Sequence, residues 1–372
     1  MHEFSPPPKT YSGRGSVDTL SAVGDRRSVE RPVVVTDEGV AAAGIAATVA
    51  DTLPGDPPVV DAVTPNPAFE TVEHIAEALA EYEADLVVGV GGGSVMDAAK
   101  AACALPAFGD DLTELRAADP TQPRSREGRP LVLVPTTAGT GTETGHWAVL
   151  SDHEADEKVS VGHPVLRADA TVLDPALTDD CPSYVTASSG FDVLTHAVES
   201  LVATGASPLT TPYSRRAFAL AERALPRAVR GDDPAARDDM LHASYLAGLA
   251  MNNAGLGAVH GLSHAIGGVY DTPHGHTNAK LLPAVVRRSA RDPAARSAFA
   301  TLAPEAREPG AALASHLEAL RSQVGLDDPL PNAPERWEWD AVVERAAGNV
   351  NTETSPVSFS KEELRDVCLE NL

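Results

Sequence analysis

The sequence predicts an α/β N-terminal domain with a mostly parallel sheet, followed by an all-helical C-terminal domain. Three observations carry this reading. Up to about residue 175, short β-branched runs alternate with longer segments whose apolar residues recur every three or four positions. After LDPALTDDCPS (173–183) the strand-like runs stop and only helical patterns continue. The length, 372 residues, exceeds the usual single core, so about two domains are expected. The division is drawn as 1–178 and 179–372.

Strands are expected at PVVV (32–35), PVVDAV (58–63), DLVVGV (85–90), LVLVP (131–135) and ATVLD (170–174). Glu38–Leu53, Phe69–Tyr82 and Val95–Leu105 between them read as helices. In the second half, helices are expected over Tyr184–Val202, Pro212–Val229, Pro234–Asn253, Ala258–Gly267, Gly310–Gln323 and Pro334–Ala347. A last helix opens at Ser360, where S-K-E-E has the pattern of a capping box. GRGSVD (13–18) and the polar stretches 107–129 and 304–310 read as loops.

Charge and cysteine usage exclude several function classes. With 53 Asp and Glu against 29 Lys and Arg, the formal charge of -24 repels nucleic acid and anionic membrane surfaces. Lysine occurs only at positions 9, 100, 158, 280 and 361, a composition suited to holding water and cations in high salt. A halophilic, salt-adapted protein is expected, the other reading being an ordinary acidic soluble one. Cys103, Cys181 and Cys368 are far apart and form no C-x-x-C pair, so neither a disulfide framework nor a thiolate metal site is indicated. The N-terminus lacks a basic region followed by an apolar core, and no apolar run reaches about 18 residues. A cytoplasmic location is expected.

Two loops in the first half carry nucleotide chemistry. DLVVGVGGGSVMDAAK sets Gly91, Gly92, Gly93 and Ser94 between a buried strand and a helix, where backbone N–H groups could approach a pyrophosphate. The same glycines also suit a tight turn with no ligand. LVLVPTTAGTGTE runs from a second strand into a loop rich in Gly and Thr, offering hydroxyls and amides at the same carboxyl edge of the sheet. Asp37, after PVVVT, could accept hydrogen bonds from an adenosine ribose and would then favour NAD over NADP; an Asp at a helix N-terminus is the other reading. Neither G-x-G-x-x-G nor a P-loop motif is present.

The second half carries ligand-spaced pairs. Asp192 and His196 in FDVLTHAVES are four apart on one helix face, and His260 and His264 repeat the spacing. His274 lies in the turn-like DTPHG and His276 directly follows it, where a loop ligand could complete a coordination sphere. Singly, each reads as a hydrogen-bonded helix histidine. Together, imidazoles and a carboxylate without sulfur suit a divalent metal such as Fe(II) or Zn(II). A nucleotide loop and an N/O metal site in one chain point to hydride transfer at a metal-polarised alcohol or carbonyl.

In order and spacing, GGGSVMDAAK, PTTAGTGTE, FDVLTHAVES and HGLSHAIGG…PHGHTNAKLLP resemble the iron-containing (group III) alcohol dehydrogenase family, with its dehydroquinate synthase-like fold. The likeness runs from YSGRGSV through VTDEG, TPNP and KVSVGHPVLRADATVLDPAL to VSFSKEELRDV. It implies a dinucleotide-binding first domain, a metal-binding second domain and a homo-oligomer acting on a small alcohol or aldehyde. Carried over, it implies Asp192, His196, His260 and His274 as metal ligands, and His264 beside nicotinamide and substrate. Gly92, Gly93 and Ser94 match the pyrophosphate loop, and Thr136, Thr137 and Thr140 the second cofactor loop. Asp37 matches the ribose-contacting acid, Asn66 the adenine-side turn and Lys158 a ribose-reaching lysine. His146 and Trp147 in TGHWAVLSD depart from the small or apolar residues of many relatives, and His276 has no assigned role. Glycerol dehydrogenase, hydroxyacid–oxoacid transhydrogenase and a dehydroquinate synthase-like lyase are the alternatives of related architecture; a non-catalytic sensor would be expected to have lost ligands.

Overall fold

The computed structural model describes residues 4–126, 129–152 and 157–372. Its chain groups into two compact units. One comprises Pro6–Thr137 and Thr142–Asp180; the other comprises Cys181–Leu372 with the short stretch Ala138–Gly141, and Ser5 is tied to it by an N–H bond to Asn253 Oδ1 (2.6 Å).

Among the described residues the first unit has eight strands: β1 (Lys9–Ser12), β2 (Pro32–Asp37), β3 (Val59–Val63), β4 (Leu86–Gly91), β5 (Leu131–Pro135), β6 (Trp147–Asp152), β7 (Glu157–Gly162) and β8 (Ala170–Leu173). Six form one sheet in the order β1-β8-β5-β4-β2-β3, and every pairing in it is parallel. All residues of β4 and β5 are buried, as expected of parallel strands covered on both faces. Alternate residues serve the two sides. Val33, Val35, Val87, Leu131 and Leu133 pack toward helices Phe69–Glu81 and Gly93–Ala104, while Val34, Val88, Val132 and Val134 meet Leu20, Ala46 and Val49 on the other side.

The chain passes from β2 outward to the edge strand β3, then returns to β4 on the opposite side of β2 and continues to β5. The direction of winding therefore reverses between β2 and β4. Crevices at the carboxyl ends of such a pair are where open α/β sheets bind ligands.

Several expectations need correction. Glu38–Leu53 is not one helix: it splits into Glu38–Ala42 and Ile45–Ala50 at Gly44, whose φ of 76° is left-handed. GRGSVD is not all loop, since Ser16–Asp18 forms a 3-10 turn leading into helix Thr19–Arg27. Leu112–Arg116 is a short helix within the polar stretch 107–129, of which 127 and 128 lie outside the described residues. The strands β1, β6 and β7 were not expected. Each is defined by its pairing with another strand, β1 by the distant β8 and β6 by antiparallel β7.

A buried polar cluster ties the Gly- and Thr-rich loop to the sheet. Lys100 is fully buried, and its Nζ donates to the Thr142 carbonyl and hydroxyl and to Trp147 O (2.8 Å), with Asp97 Oδ1 at 3.6 Å. Asp97 in turn accepts from Thr142 Oγ1 (2.6 Å) and Val149 N (3.0 Å). Beside them, Glu143 is buried, and neither carboxylate oxygen hydrogen-bonds to another described residue. Burial pushes its carboxyl up to about 7, against the opposing pull of its own backbone amide and of Lys100.

In the second unit, helices Ser183–Val202, Thr211–Arg230, Pro234–Ala254, Ala258–Tyr270, His274–Ser289, Pro309–Gln323 and Lys361–Asn371 enclose one apolar core. The Ser360 capping box is present, with reciprocal bonds between Ser360 and Glu363. The helix expected from Pro334 starts only at Trp339. Ahead of it, Glu338 N–H is drawn to the Tyr270 hydroxyl (2.5 Å), and Trp337 packs edge-on to Tyr270. His274 is on a helix and not in a loop: it is the first residue of His274–Ser289, which continues through the internal Pro283. That helix approaches Ser183–Val202 closely at Gly275, where a Cβ would lie 2.1 Å from the Ser188 carbonyl oxygen.

Gly275→Ala should therefore push these two helices apart, lowering stability by roughly 1–3 kcal/mol; a thermal midpoint equal to the parent's would contradict the contact. Glu143 gives a pH signature. The folded state keeps a proton that the unfolded chain releases above its ordinary value of 4.5, so this stabilising contribution is complete below 4.5 and lost as pH rises through about 7. Glu143→Gln should flatten that part of the stability curve when midpoints are measured from pH 4 to 8.

Candidate metal centre and nucleotide loops

The helix Ser183–Val202 presents Asp192 and His196 on one buried face, four residues and about one turn apart. Around Asp192 Oδ1, His196 Nε2 lies at 3.4 Å, His260 Nε2 at 3.5 Å and His274 Nε2 at 3.4 Å. The four residues come from three helices, so the sequence pairs at 192/196 and the separate 260 and 274 converge on one carboxylate oxygen. Among the described residues, ligand atoms of Asp192, His260 and His274 all lie within 4.8 Å of one another. His196 joins through its approach to Asp192 and by stacking on His260, with ring centroids 4.7 Å apart.

Three of these groups are buried, and His274 is partly exposed. Asp192, His196 and His260 are at most 4 % exposed, and His260 Nε2 is a buried nitrogen with no hydrogen-bond partner. At 3.5 Å its approach to Asp192 is electrostatic, longer than a hydrogen bond of normal length. Burial alone would raise the Asp192 carboxyl, but His196 and His274 outweigh it and hold the group well below the usual carboxylate range. Burial lowers His196 to about 3 despite Asp192. At His260 burial works against the charged form, yet the carboxylates of Asp192 and Glu199 outweigh it and push the imidazole up to about 9. A buried carboxylate ringed by nitrogens, one of them unpartnered, is a donor set that a divalent cation fits.

Three residues around this set were missed by the sequence reading. Glu199 Oε2 meets His260 Nδ1 at 2.6 Å, Ser263 Oγ meets His274 Nδ1 at 3.2 Å, and Asn278 Nδ2 donates to Asp192 Oδ1 at 2.8 Å. Helical spacing would have found them: Glu199 is seven residues after Asp192, Ser263 three after His260, and Asn278 four after His274. His264 sits half-buried one turn beyond His260, its ring centroid 5.2 Å from that of His274. His276 turns away. Its ring bridges the Tyr184 hydroxyl (Nδ1, 3.3 Å) and the Leu326 carbonyl (Nε2, 3.1 Å), a structural tie between chain segments.

In the other unit, Asp37 ends β2, Gly91 ends β4 and Pro135 ends β5, at the same edge of the sheet. Gly92 is the N-cap of helix Gly93–Ala104 and supplies no side-chain cap, so the first-turn amides, Ser94 among them, face the crevice end. A Cβ at Gly92 would sit 3.3 Å from Thr137 Oγ1, and Thr136 N–H donates to Gly91 O at 3.0 Å, so the two loops lie against each other. Asn66, with a left-handed φ of 54°, donates its N–H to Ser94 Oγ (3.3 Å) and accepts from Lys158 Nζ (2.8 Å). Residues that were 92 positions apart in the sequence thus share one edge with the glycine loop. An anionic group fits this uncapped, glycine-lined helix start. Of the two roles expected for Asp37, the helix cap is present: Oδ1 accepts from the Val40 N–H (2.9 Å). Thr140 stands apart, within the stretch Ala138–Gly141 that groups with the helical unit. His146 is mostly buried and its ring lies 5.6 Å from that of Trp147, which is exposed.

Both halves of the chain are similar to known proteins. Residues 7–175 match the model for iron-containing alcohol dehydrogenase, and residues 186–372 match the C-terminal model of the Fe-containing alcohol dehydrogenase family. The 1-propanol dehydrogenase PduQ of Citrobacter freundii is 34% identical over 374 residues, covering 96% of each protein. The NAD-dependent methanol dehydrogenase of Bacillus methanolicus is 34% identical over 289 residues, 77% of this chain and 75% of that protein. Among solved structures, an alcohol dehydrogenase from Oenococcus oeni superposes with a TM-score of 0.92 at 30% identity, covering 100% of both chains. The chain belongs to the iron-containing alcohol dehydrogenase family.

Proposed function

We infer that the protein is an NAD-linked, metal-containing dehydrogenase that interconverts a primary alcohol or diol and its aldehyde. The observation that carries this reading is the buried Asp192 carboxylate with three imidazole nitrogens within 3.5 Å, in a chain matched by the family along both halves. The propanol and methanol dehydrogenases among its relatives support a short primary alcohol as substrate class.

Asp192, His196, His260 and His274 would hold the cation, Fe(II) or, as the alternative, Zn(II), through nitrogen and oxygen donors alone. When bound, the cation polarises the alcohol or carbonyl oxygen and NAD exchanges a hydride with the adjacent carbon. His264, beside the ligands but half-buried, carries the alcohol proton between this centre and water. Gly92, Gly93 and Ser94 hold the pyrophosphate with backbone amides, and Thr136, Thr137 and Thr140 add hydroxyls and amides from the second loop. Asn66 lies on the adenine side, where it also steadies Lys158 for a ribose hydroxyl. Asp37 accepts from the adenosine ribose and repels a 2′-phosphate, which selects NAD over NADP.

The net charge of -24 with few lysines supports a halophilic protein whose fold needs screening of its own surface. No helix among the described residues is long and apolar enough to cross a membrane. A homo-oligomer is the family default, and the three free cysteines, Cys103, Cys181 and Cys368, support a reducing, cytoplasmic location.

Metal-stripped protein mixed with NAD and a panel of short alcohols and diols should form NADH only after Fe(II) or Zn(II) is restored, with no second carbonyl acceptor present. Strict dependence on such an acceptor would favour a transhydrogenase instead. Asp192→Ala and His274→Ala should lose bound metal and turnover together, whereas His264→Ala should keep its metal while turnover falls roughly 10²–10⁴-fold. Asp37→Ser, which preserves the helix cap, should raise the NADP to NAD ratio of kcat/KM by about tenfold or more. Circular dichroism in low salt should report unfolding that molar KCl reverses; indifference to salt would remove the halophilic reading.

A further inference from the structure

Glu199 lies outside the ligand set, yet it sits seven residues after Asp192 and three after His196, on the same face of helix Ser183–Val202. It is 4% exposed, and both carboxylate oxygens are engaged. Oε1 accepts the Val259 N–H at 2.8 Å, and Oε2 lies 2.6 Å from His260 Nδ1. Both partners belong to the first turn of helix Ala258–Tyr270, whose N-cap, Gly257, has no side chain to cap it. Glu199 thus supplies that cap from a neighbouring helix, with its negative charge at the favourable end of the helix dipole. Room for it exists because residue 257 is glycine: a Cβ there would approach Glu199 Oε1 to 2.6 Å.

The contact with His260 has a chemical consequence. A carboxylate can only accept, so Nδ1 carries the proton and Nε2 is left as the ring nitrogen turned toward Asp192 Oδ1. We propose that Glu199 is a positioning residue of the metal centre, fixing both the tautomer and the ring orientation of His260 by holding Val259 N–H and His260 Nδ1 at once. One helix then contributes two ligands and aims a third that belongs to another helix. This inference rests on the metal-centre reading above.

The test is metal affinity rather than turnover. Chelator-stripped parent, Glu199→Gln, Glu199→Ala and Gly257→Ala proteins are titrated with Zn(II) against a chromophoric competitor, and thermal midpoints of the metal-free forms are recorded in parallel. Glu199→Ala is expected to bind roughly 10- to 100-fold more weakly than the parent. Glu199→Gln, whose single acceptor oxygen serves only one of the two donors, should fall between them. Gly257→Ala should weaken binding as well by displacing the carboxylate. Co(II)-loaded parent and Glu199→Gln should differ in their visible ligand-field spectra, a change that helix capping alone would not cause. If Glu199→Ala does not fold, the isosteric Glu199→Gln decides the matter. Parent-like affinity and spectra in Glu199→Gln, with or without a lowered midpoint, would overturn the proposal while leaving the metal centre intact. Failure of the parent itself to bind any divalent ion would overturn the metal centre and this role together.

Discussion

The helical unit depends on one electrostatic constraint: the carboxylate of Asp192 is buried, and a buried charge survives only where opposite charge and hydrogen bonds surround it. Three imidazoles, the Asn278 amide and the packing of three helices answer that demand. Their arrangement follows from helical geometry. Side chains four apart lie one above the other, so Asp192 and His196 share a face, and each other helix needs to bring only one residue, from its first turn, to the same spot.

Close packing makes this convergence possible. His274 reaches the centre because Gly275 lets its helix approach Ser188 without a Cβ in the way, and His260 is held because Gly257 leaves room for Glu199. The polar groups that form the centre are therefore as dependent on small residues as on the donors themselves. An apolar core surrounds them, so the orientation of each ring is set by packing as well as by its hydrogen bond.

In the α/β unit the corresponding constraint is the parallel sheet. Parallel strands place all their carboxyl ends on one edge, so the glycine loop after β4, the Thr-rich loop after β5 and Asp37 after β2 come together without any local signal linking them. The buried Lys100 then anchors the second loop by its carbonyls, at Thr142 and Trp147. The lysine of GGGSVMDAAK is thereby spent inside the protein and is not a surface charge available to a ligand.

What the sequence determined by itself was local in nature. Short β-branched runs revealed five of the six strands of the parallel sheet, and apolar residues recurring every three or four positions revealed most helices. Donor residues at four-residue spacing exposed Asp192 with His196, and glycines after a buried strand marked the crevice loop. The tertiary structure alone decided the non-local matters. β1 and the β6–β7 pair exist through their pairing partners, and Lys158 meets Asn66 only when the sheet has folded. The turn-like DTPHG made His274 look like a loop residue, yet a helix opens at that histidine and continues through Gly275 and Pro283. Glu199 was in plain view at helical spacing, but its role depends on Val259 and His260, about 60 residues away. Spacing along one helix records which side chains share a face; only the fold determines what that face meets.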